Sequence, residues 1–275
     1  MNFHADIVPS LLVAVLYLAL FAGAEIWSRI ASPDVETTRK MVHFGGGIVA
    51  LFFPILFETH WPVLIMASLF TIVLLVTKRS ALLGSVQGVE RVTIGEIIYP
   101  LSIYTTFLLA TISGRYTTYA IAILILAMAD AVAGIVGKRY GRHRYHVGDG
   151  KKSLEGSAAF FAVTFGIIVA GLLAGGGNPL PEILMASLLV SLLLTGVEAI
   201  APKGLDNAAV PLGAWYLLSY VSTRPMRDMA LDLALLVMVA AVCLWLALAK
   251  RVIGVAGAIV VALAIYGAFM LVGRI

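Results

Sequence analysis

The stretch "DAVAGIVGKRYGRHRYHVGDGKKSLEGS" runs from Asp130 to Ser157. An uninterrupted apolar segment ends on Asp130, and the chain turns apolar again at Ala158. Between them stand six Lys and Arg residues, His143, His146 and a series of glycines. Apolar run, cationic loop, apolar run is the pattern of a chain that leaves a membrane and re-enters it. The rest of the sequence repeats it. Of 275 residues 61% are hydrophobic and only 12% charged, with a mean hydropathy of +1.02. A spanning helix needs about 20 largely apolar residues. In lipid the backbone must satisfy its own hydrogen bonds, so continuous apolar runs are helices. A β-barrel would show short alternating segments instead. The expected fold is all-α, a polytopic transmembrane helical bundle of about ten spans, forming a single integral membrane domain over 1–275.

The ten runs fall near 8–29, 42–57, 61–77, 97–112, 116–136, 158–175, 182–200, 207–222, 229–249 and 252–272. The second is short and rich in glycine, and the eighth contains Pro211. The N-terminus carries Asp6 and no early Lys or Arg, and its first apolar run is long enough to span, so it does not read as a cleavable signal. Cys243, the single cysteine, permits no internal disulfide and suggests no thiolate metal site.

Cations set the orientation. With loops numbered from the N-terminus, fifteen of the 19 Lys and Arg residues fall in odd loops. Cytoplasmic loops carry such an excess. The odd loops are therefore expected in the cytoplasm and both termini outside. The same bias accounts for the net charge of +4 and the pI near 9.2. The charge balance alone therefore implies no partner, and the expected surroundings are a lipid bilayer, with no nucleic acid. Every chemically interesting polar cluster falls on the cytoplasmic side, where a water-soluble substrate can reach it.

On a helix, Gly134, Gly137 and Gly141 lie on one face below Asp130. Such small-residue stripes commonly pack helices together. An ionisable residue inside a span is costly, however, and usually lines a polar site. Further along, "GDGKKS" sets backbone amides beside Lys151 and Lys152, groups that suit phosphate. Ser153 can cap the following helix, whose N-terminus also attracts anions. This is not a Walker A loop. Five residues before Gly150 stands Tyr145 in place of glycine, and Lys152 follows Lys151 in place of Ser or Thr.

Two other clusters join it. "RKMVHFGGG" places Arg39 and His43 one turn apart, beside Lys40 and above Gly46 and Gly47. "GVEAIAPKGLDNAAVP" carries Glu198, then Asp206 and Asn207 at the start of the next span. Asp and Asn there also read as helix caps. Carboxylates at one membrane face could share Mg²⁺ that bridges nucleotide phosphates. Glu90, Arg91 and Glu96 stand in another cytoplasmic loop, and Glu25 lies near the cytoplasmic end of the first span.

The blocks "RKMVHFGGG", "DAVAGIVGKRYG", "GKKSLEGS" and "EAIAPKGLDNAAVP", in that order, resemble the membrane CTP-dependent lipid-alcohol kinases. That family includes dolichol, phytol and farnesol kinases and the yeast-type diacylglycerol kinase. The likeness covers about 39–211. Phosphatidate cytidylyltransferase has a similar pattern, but its closing Asp-Arg-x-Asp signature is missing here, and "GLDNAAVP" stands in its place. The resemblance implies transfer of the γ-phosphoryl of CTP to a lipid alcohol at the cytoplasmic face. It implies Mg²⁺ held by Asp130, Glu198 and Asp206, and phosphate bound by Arg39, Lys40, Lys151 and Lys152. Gly134 and Gly137 would let the nucleotide approach, Ser153 would offer a helix start, and Asn207 would position a ligand or a metal-bound water. Asp130, His43 and Lys152 form the expected catalytic set, with His43 or an acid taking the hydroxyl proton. A cytidylyltransferase making a CDP-lipid and a membrane transporter are the rival readings. The sequence leaves the oligomeric state open, a homodimer included.

Overall fold

The computed structural model describes residues 3–80, 95–148, 150–202, 204–249 and 254–272. It is helical throughout apart from one short hairpin. The helices are α1 (Phe3–Ala31), α2 (Val35–Ala50), α3 (Phe53–Leu56), α4 (Trp61–Ser80), α5 (Gly95–Ser113), α6 (Tyr116–Leu124) and α7 (Asp130–Tyr140). After strands β1 (Arg144–Val147) and β2 (Gly150–Ser153) come α8 (Leu154–Gly175), α9 (Leu180–Ile200), α10 (Asp206–Val221), α11 (Met226–Leu248) and α12 (Val255–Val272). A helical segment stands at each of the ten apolar runs read from the sequence. Six segments among the described residues are long and apolar enough to cross a membrane: Asp6–Ala31, Thr37–Leu56, Tyr116–Tyr140, Leu154–Gly175, Leu180–Ile200 and Met226–Leu248. Trp61–Leu75, Ile97–Ser113 and Val255–Met270 are apolar but shorter.

The chain forms two compact units. The first comprises Met1–Ala131 and Lys203–Leu212. Within it α1 packs on α2, and α4 on α5. Asp34 caps α2, accepting from the Thr37 amide at 2.7 Å. The core is aromatic: Phe107 meets Phe53 and Tyr119 edge-on, with ring centroids 6.0 and 5.6 Å apart. The buried Tyr119 hydroxyl donates to the Ala50 carbonyl at 2.8 Å. That carbonyl lies in the last turn of α2, where no helical amide follows to pair with it. Along α5, Ser102, Thr105, Thr106, Thr111 and Ser113 each donate to the carbonyl four residues earlier. This internal pairing lets polar side chains sit in an apolar segment.

Between α6 and α7 the helix widens into a π segment, Ile125–Ala129, without breaking. Gly47 of α2 lies against this segment; a Cβ there would come within 2.5 Å of the Ala127 Cβ.

The second unit comprises Val132–Pro202 and Gly213–Ile275. Here α8 packs on α9, α11 on α12, and α9 on α12. The hairpin strands are antiparallel, with Tyr145 opposite Lys152 and His146 opposite Lys151. Tyr145 and Val147 turn inward, packing with Ala199 and with Val255, Ala256 and Ile259 of α12. A polar cluster centres on Arg224, whose guanidinium lies 3.5 Å from Asp228, 3.6 Å from the buried Asp232, and over the Tyr220 ring.

Candidate active site

Each unit presents one of the expected polar clusters. In the first, α2 and the start of α7 bring Lys40 and Asp130 together. The Lys40 ammonium donates to the Asp130 carbonyl at 2.9 Å and stands 3.7 Å from the carboxylate. The ammonium thus bonds the backbone and only faces the acid. The Asp130 side chain keeps 28% of its surface, enough for a ligand to reach it, whereas Lys40 keeps 14%. The π segment ends directly at Asp130. Such segments re-aim the residues that follow them and recur at functional sites.

One turn beyond Lys40, the His43 ring stacks on Tyr99 of α5, centroids 4.2 Å apart. The Tyr99 hydroxyl donates to the His43 carbonyl. Tyr17 of α1 donates to the Gly46 carbonyl at 3.0 Å. The glycine face of α2 is therefore filled from within the unit: Leu20 covers Gly45, Tyr17 and Tyr99 cover Gly46, and Ala127 covers Gly47. Below His43 opens a cavity of about 530 Å³, lined almost wholly by apolar side chains of α1 to α5. Neither tyrosine was singled out by the sequence, which marks both as ordinary packing aromatics.

Also in this unit, Asp206 is the first residue of α10, and its carboxylate accepts from the Gly204 and Asn207 amides at 3.0 and 3.1 Å, tying the preceding turn to the helix start. Asn207 is buried, and its side-chain amide donates to the Gly95 carbonyl at 2.9 Å. Gly95 and Gly204 approach so closely that a Cβ on Gly95 would come within 2.8 Å of the Gly204 Cα.

In the second unit the GDGKKS stretch is not an open loop. Gly150–Ser153 is a strand, so neighbouring side chains leave it on opposite faces. Lys151 faces outward beside exposed His146 and Arg144. Lys152 faces inward, where its ammonium reaches Glu198 Oε1 at 2.6 Å and also donates to the Glu198 carbonyl. Glu198 is 7% exposed. Ser153 caps α8 as expected, accepting from the Gly156 amide at 3.1 Å. The His143 amide and ring contact the Glu155 carboxylate, which ties the start of β1 to α8. Burial raises the Tyr145 phenol above its ordinary pKa, so it stays neutral while it bonds Ser157 at 3.0 Å.

Gly137 and Gly141 are occupied by packing. A Cβ on Gly137 would come 3.1 Å from the Ser153 hydroxyl, and one on Gly141 only 2.8 Å from it. Gly134 is half-buried on the same helix. Arg39 is half-buried on α2. Glu25 pairs with Arg29 at 2.9 Å, one turn along α1. Glu90 and Arg91 lie outside the described residues, as does the side chain of Glu96. Among the described residues, no group of three or more His, Cys, Asp or Glu side chains is gathered to hold one ion.

The sequence is 32% identical over 203 residues to the phytol kinase of Synechocystis sp., an alignment that spans 74% of this chain and 87% of that protein. No family model matches the sequence, and no solved structure matches it.

Proposed function

The chain belongs to the CTP-dependent lipid-alcohol kinase family, and on that premise we propose that it transfers the γ-phosphoryl of CTP to the hydroxyl of a prenyl alcohol of the phytol class, at the cytoplasmic face of the membrane. The observation that carries this reading is the polar end of the first unit. Lys40 faces the accessible acid Asp130, and His43, one turn further along α2, lines an apolar cavity. A lipid alcohol needs that combination: a greasy seat for the chain and a charged station for the phosphate.

Phosphoryl transfer asks the protein mainly for positioning and charge neutralisation. The alcohol oxygen bonds the γ-phosphorus while the bond to the bridging oxygen breaks and CDP leaves. The His43 ring, at the head of the cavity, takes the hydroxyl proton. Lys40 and Arg39 offset charge on the transferring phosphoryl. Mg²⁺ is commonly held by one or two carboxylates plus substrate phosphates, keeping several waters. Asp130, open to ligands, suits that arrangement, and the family resemblance adds Asp206 and Glu198. When bound, the ion neutralises phosphate charge. The resemblance also gives Lys151, Lys152, Ser153 and Asn207 to the nucleotide, Lys152 having first to leave Glu198. The ten-span, termini-outside topology belongs to the same proposal.

The test is purified protein in lipid with Mg²⁺, phytol and related alcohols, and CTP labelled at the α- or γ-phosphate. Label from the γ position in the lipid product is expected. Label from the α position would instead establish a cytidylyltransferase. Absence of both, with alcohols and lipid phosphates supplied, would favour transport. Asp130→Asn should lower turnover at least about a hundredfold, the scale of losing one charge-stabilising group, with the protein still folded.

A further inference from the structure

We propose that the apolar cavity of the first unit is the seat of the acceptor's hydrocarbon chain, entered sideways from the bilayer between α1 and α4. This rests on the kinase reading and extends it to a chain-length filter.

The cavity has three distinct regions. Its head carries the polar groups: His43 stacked on Tyr99, with Tyr17 also lining it. Its floor is buried and apolar, formed by Phe53, Val63 and Ile103. Its flank carries Leu18 of α1 with Leu69 and Val73 of α4, which are 70%, 57% and 51% exposed. Apolar side chains this exposed in a membrane protein face lipid, so the cavity opens toward the acyl chains and not toward water. An alcohol dissolved in the bilayer can slide in without leaving the apolar phase.

The direction of the occupant follows from the helix. His43 lies one turn from Lys40, so a hydroxyl at the head of the cavity sits next to the Lys40–Asp130 pair. The chain then runs down toward Phe53. His43 and Phe53 are ten residues apart, which at about 1.5 Å per helical residue gives a depth on the order of 15 Å. That is about half of a hydrocarbon core of roughly 30 Å, one leaflet. A volume of about 530 Å³ falls within the roughly 300–1,000 Å³ typical of sites for one small ligand. One prenyl chain matches that volume, and an extended phytol chain, longer than this depth, reaches back toward the open flank. A much longer polyprenol would fill the cavity and leave its remainder in the bilayer. Annular phospholipid is a poorer occupant, because its two chains and zwitterionic head do not match one slot ending on a histidine.

Ala67 of α4 lines the cavity and is 8% exposed, so a larger side chain there projects into the space. Ala14 of α1 lines its exposed flank. The full-length protein in nanodiscs is irradiated with a diazirine-bearing prenyl alcohol, and labelled peptides are mapped with and without excess phytol. Labelling is expected on α1 and α4, displaced by phytol. Ala67→Phe should abolish it, as should Ala14→Trp, which narrows the flank without touching the floor. Ile72→Phe, on α4 but off the cavity, should not. In turnover, Ala67→Phe should shift the kcat/KM ratio of geraniol to phytol about tenfold or more toward geraniol, the scale on which pockets discriminate chain size.

The failures are separable. If wild-type protein phosphorylates phytol but label falls elsewhere, or survives both cavity variants, the cavity assignment is overturned and the kinase stands. If displaced labelling maps to α1 and α4 with no phosphorylation of any alcohol, the kinase reading falls and a prenyl-alcohol site remains.

Discussion

Lys152 and Glu198 separate two roles at the scale of the single residue. Both are largely removed from solvent, at 17% and 9% side-chain exposure. Removing one partner of a buried pair strands the other charge and costs about 3–5 kcal/mol. Lys152→Met should therefore lower the melting temperature in detergent sharply. Replacing both residues by apolar ones of similar size should restore most of it, since that removes the stranded charge as well. If Lys152 also binds phosphate, the restored double variant stays inactive. A double variant with wild-type turnover would confine the pair to stability. The sequence exposed only part of this. The Ser153 cap was legible because a hydroxyl before an apolar run has one strong local use. The division of Lys151 from Lys152 was not, because the charge of "RHRYHVGDGKK" hides a short alternation, Tyr145 and Val147 inward, that makes a hairpin. Four-residue strands carry too little periodic signal to outweigh six cations nearby.

Glycine decides more at the scale of the element, and spacing alone cannot say how. In the sequence, Gly46 and Gly47 offer a smooth face below Arg39 and His43, and the stripe Gly134, Gly137, Gly141 reads either as helix packing or as room for a nucleotide. In the structure Gly45 to Gly47, Gly137 and Gly141 are taken up by neighbouring side chains and helices. A glycine face admits a phosphate and a packed helix equally well, and only the third dimension separates them. Helix positions, by contrast, were legible throughout, since an apolar run in lipid has almost no other option. The π segment before Asp130 was not, because it changes hydrogen bonding without changing the hydropathy pattern. Two substitutions measure how α2 uses its glycines. Gly→Ala inside a helix normally gains roughly 0.5–1 kcal/mol. At Gly23 of α1 a new methyl meets nothing within 4 Å, so Gly23→Ala should raise the melting temperature slightly. At Gly47 it would sit 2.5 Å from the Ala127 methyl, and overpacking costs about 1–3 kcal/mol. The clash outweighs the propensity gain, and Gly47→Ala should lower the melting temperature. It should also weaken turnover, because α2 and the π segment together hold Lys40 against Asp130. Equal thermal shifts at the two glycines would mean that α2 does not depend on this close crossing.

Orientation is the property of the whole molecule on which the proposed chemistry depends, because CTP is confined to the side that holds it. Cation bias predicts a cytoplasmic 130–157 loop whether ten segments cross or only the six long ones do. The two counts part at residue 87, outside the described residues, in the loop expected from the sequence after the third apolar run. With every apolar run spanning, that loop follows three crossings and is cytoplasmic. With only the long segments spanning, it follows two and is exterior. Cysteine labelling resolves this on a quiet background, since Cys243, the one native thiol, is 3% exposed. Lys151→Cys on the outward face of the hairpin and Asn178→Cys, exposed beyond α8, mark the two sides. An impermeant maleimide applied to intact cells should modify Asn178→Cys and spare both Lys151→Cys and Gln87→Cys. Inverted vesicles should reverse the pattern. Modification of Gln87→Cys from outside would reduce α4 and α5 to a pair that does not cross. The cavity would then lose its bilayer flank on that side, and an acceptor would have to enter by another route. Modification of Lys151→Cys from outside would put the hairpin and the start of α8 beyond the reach of cytoplasmic CTP, and the proposed reaction would fail with it.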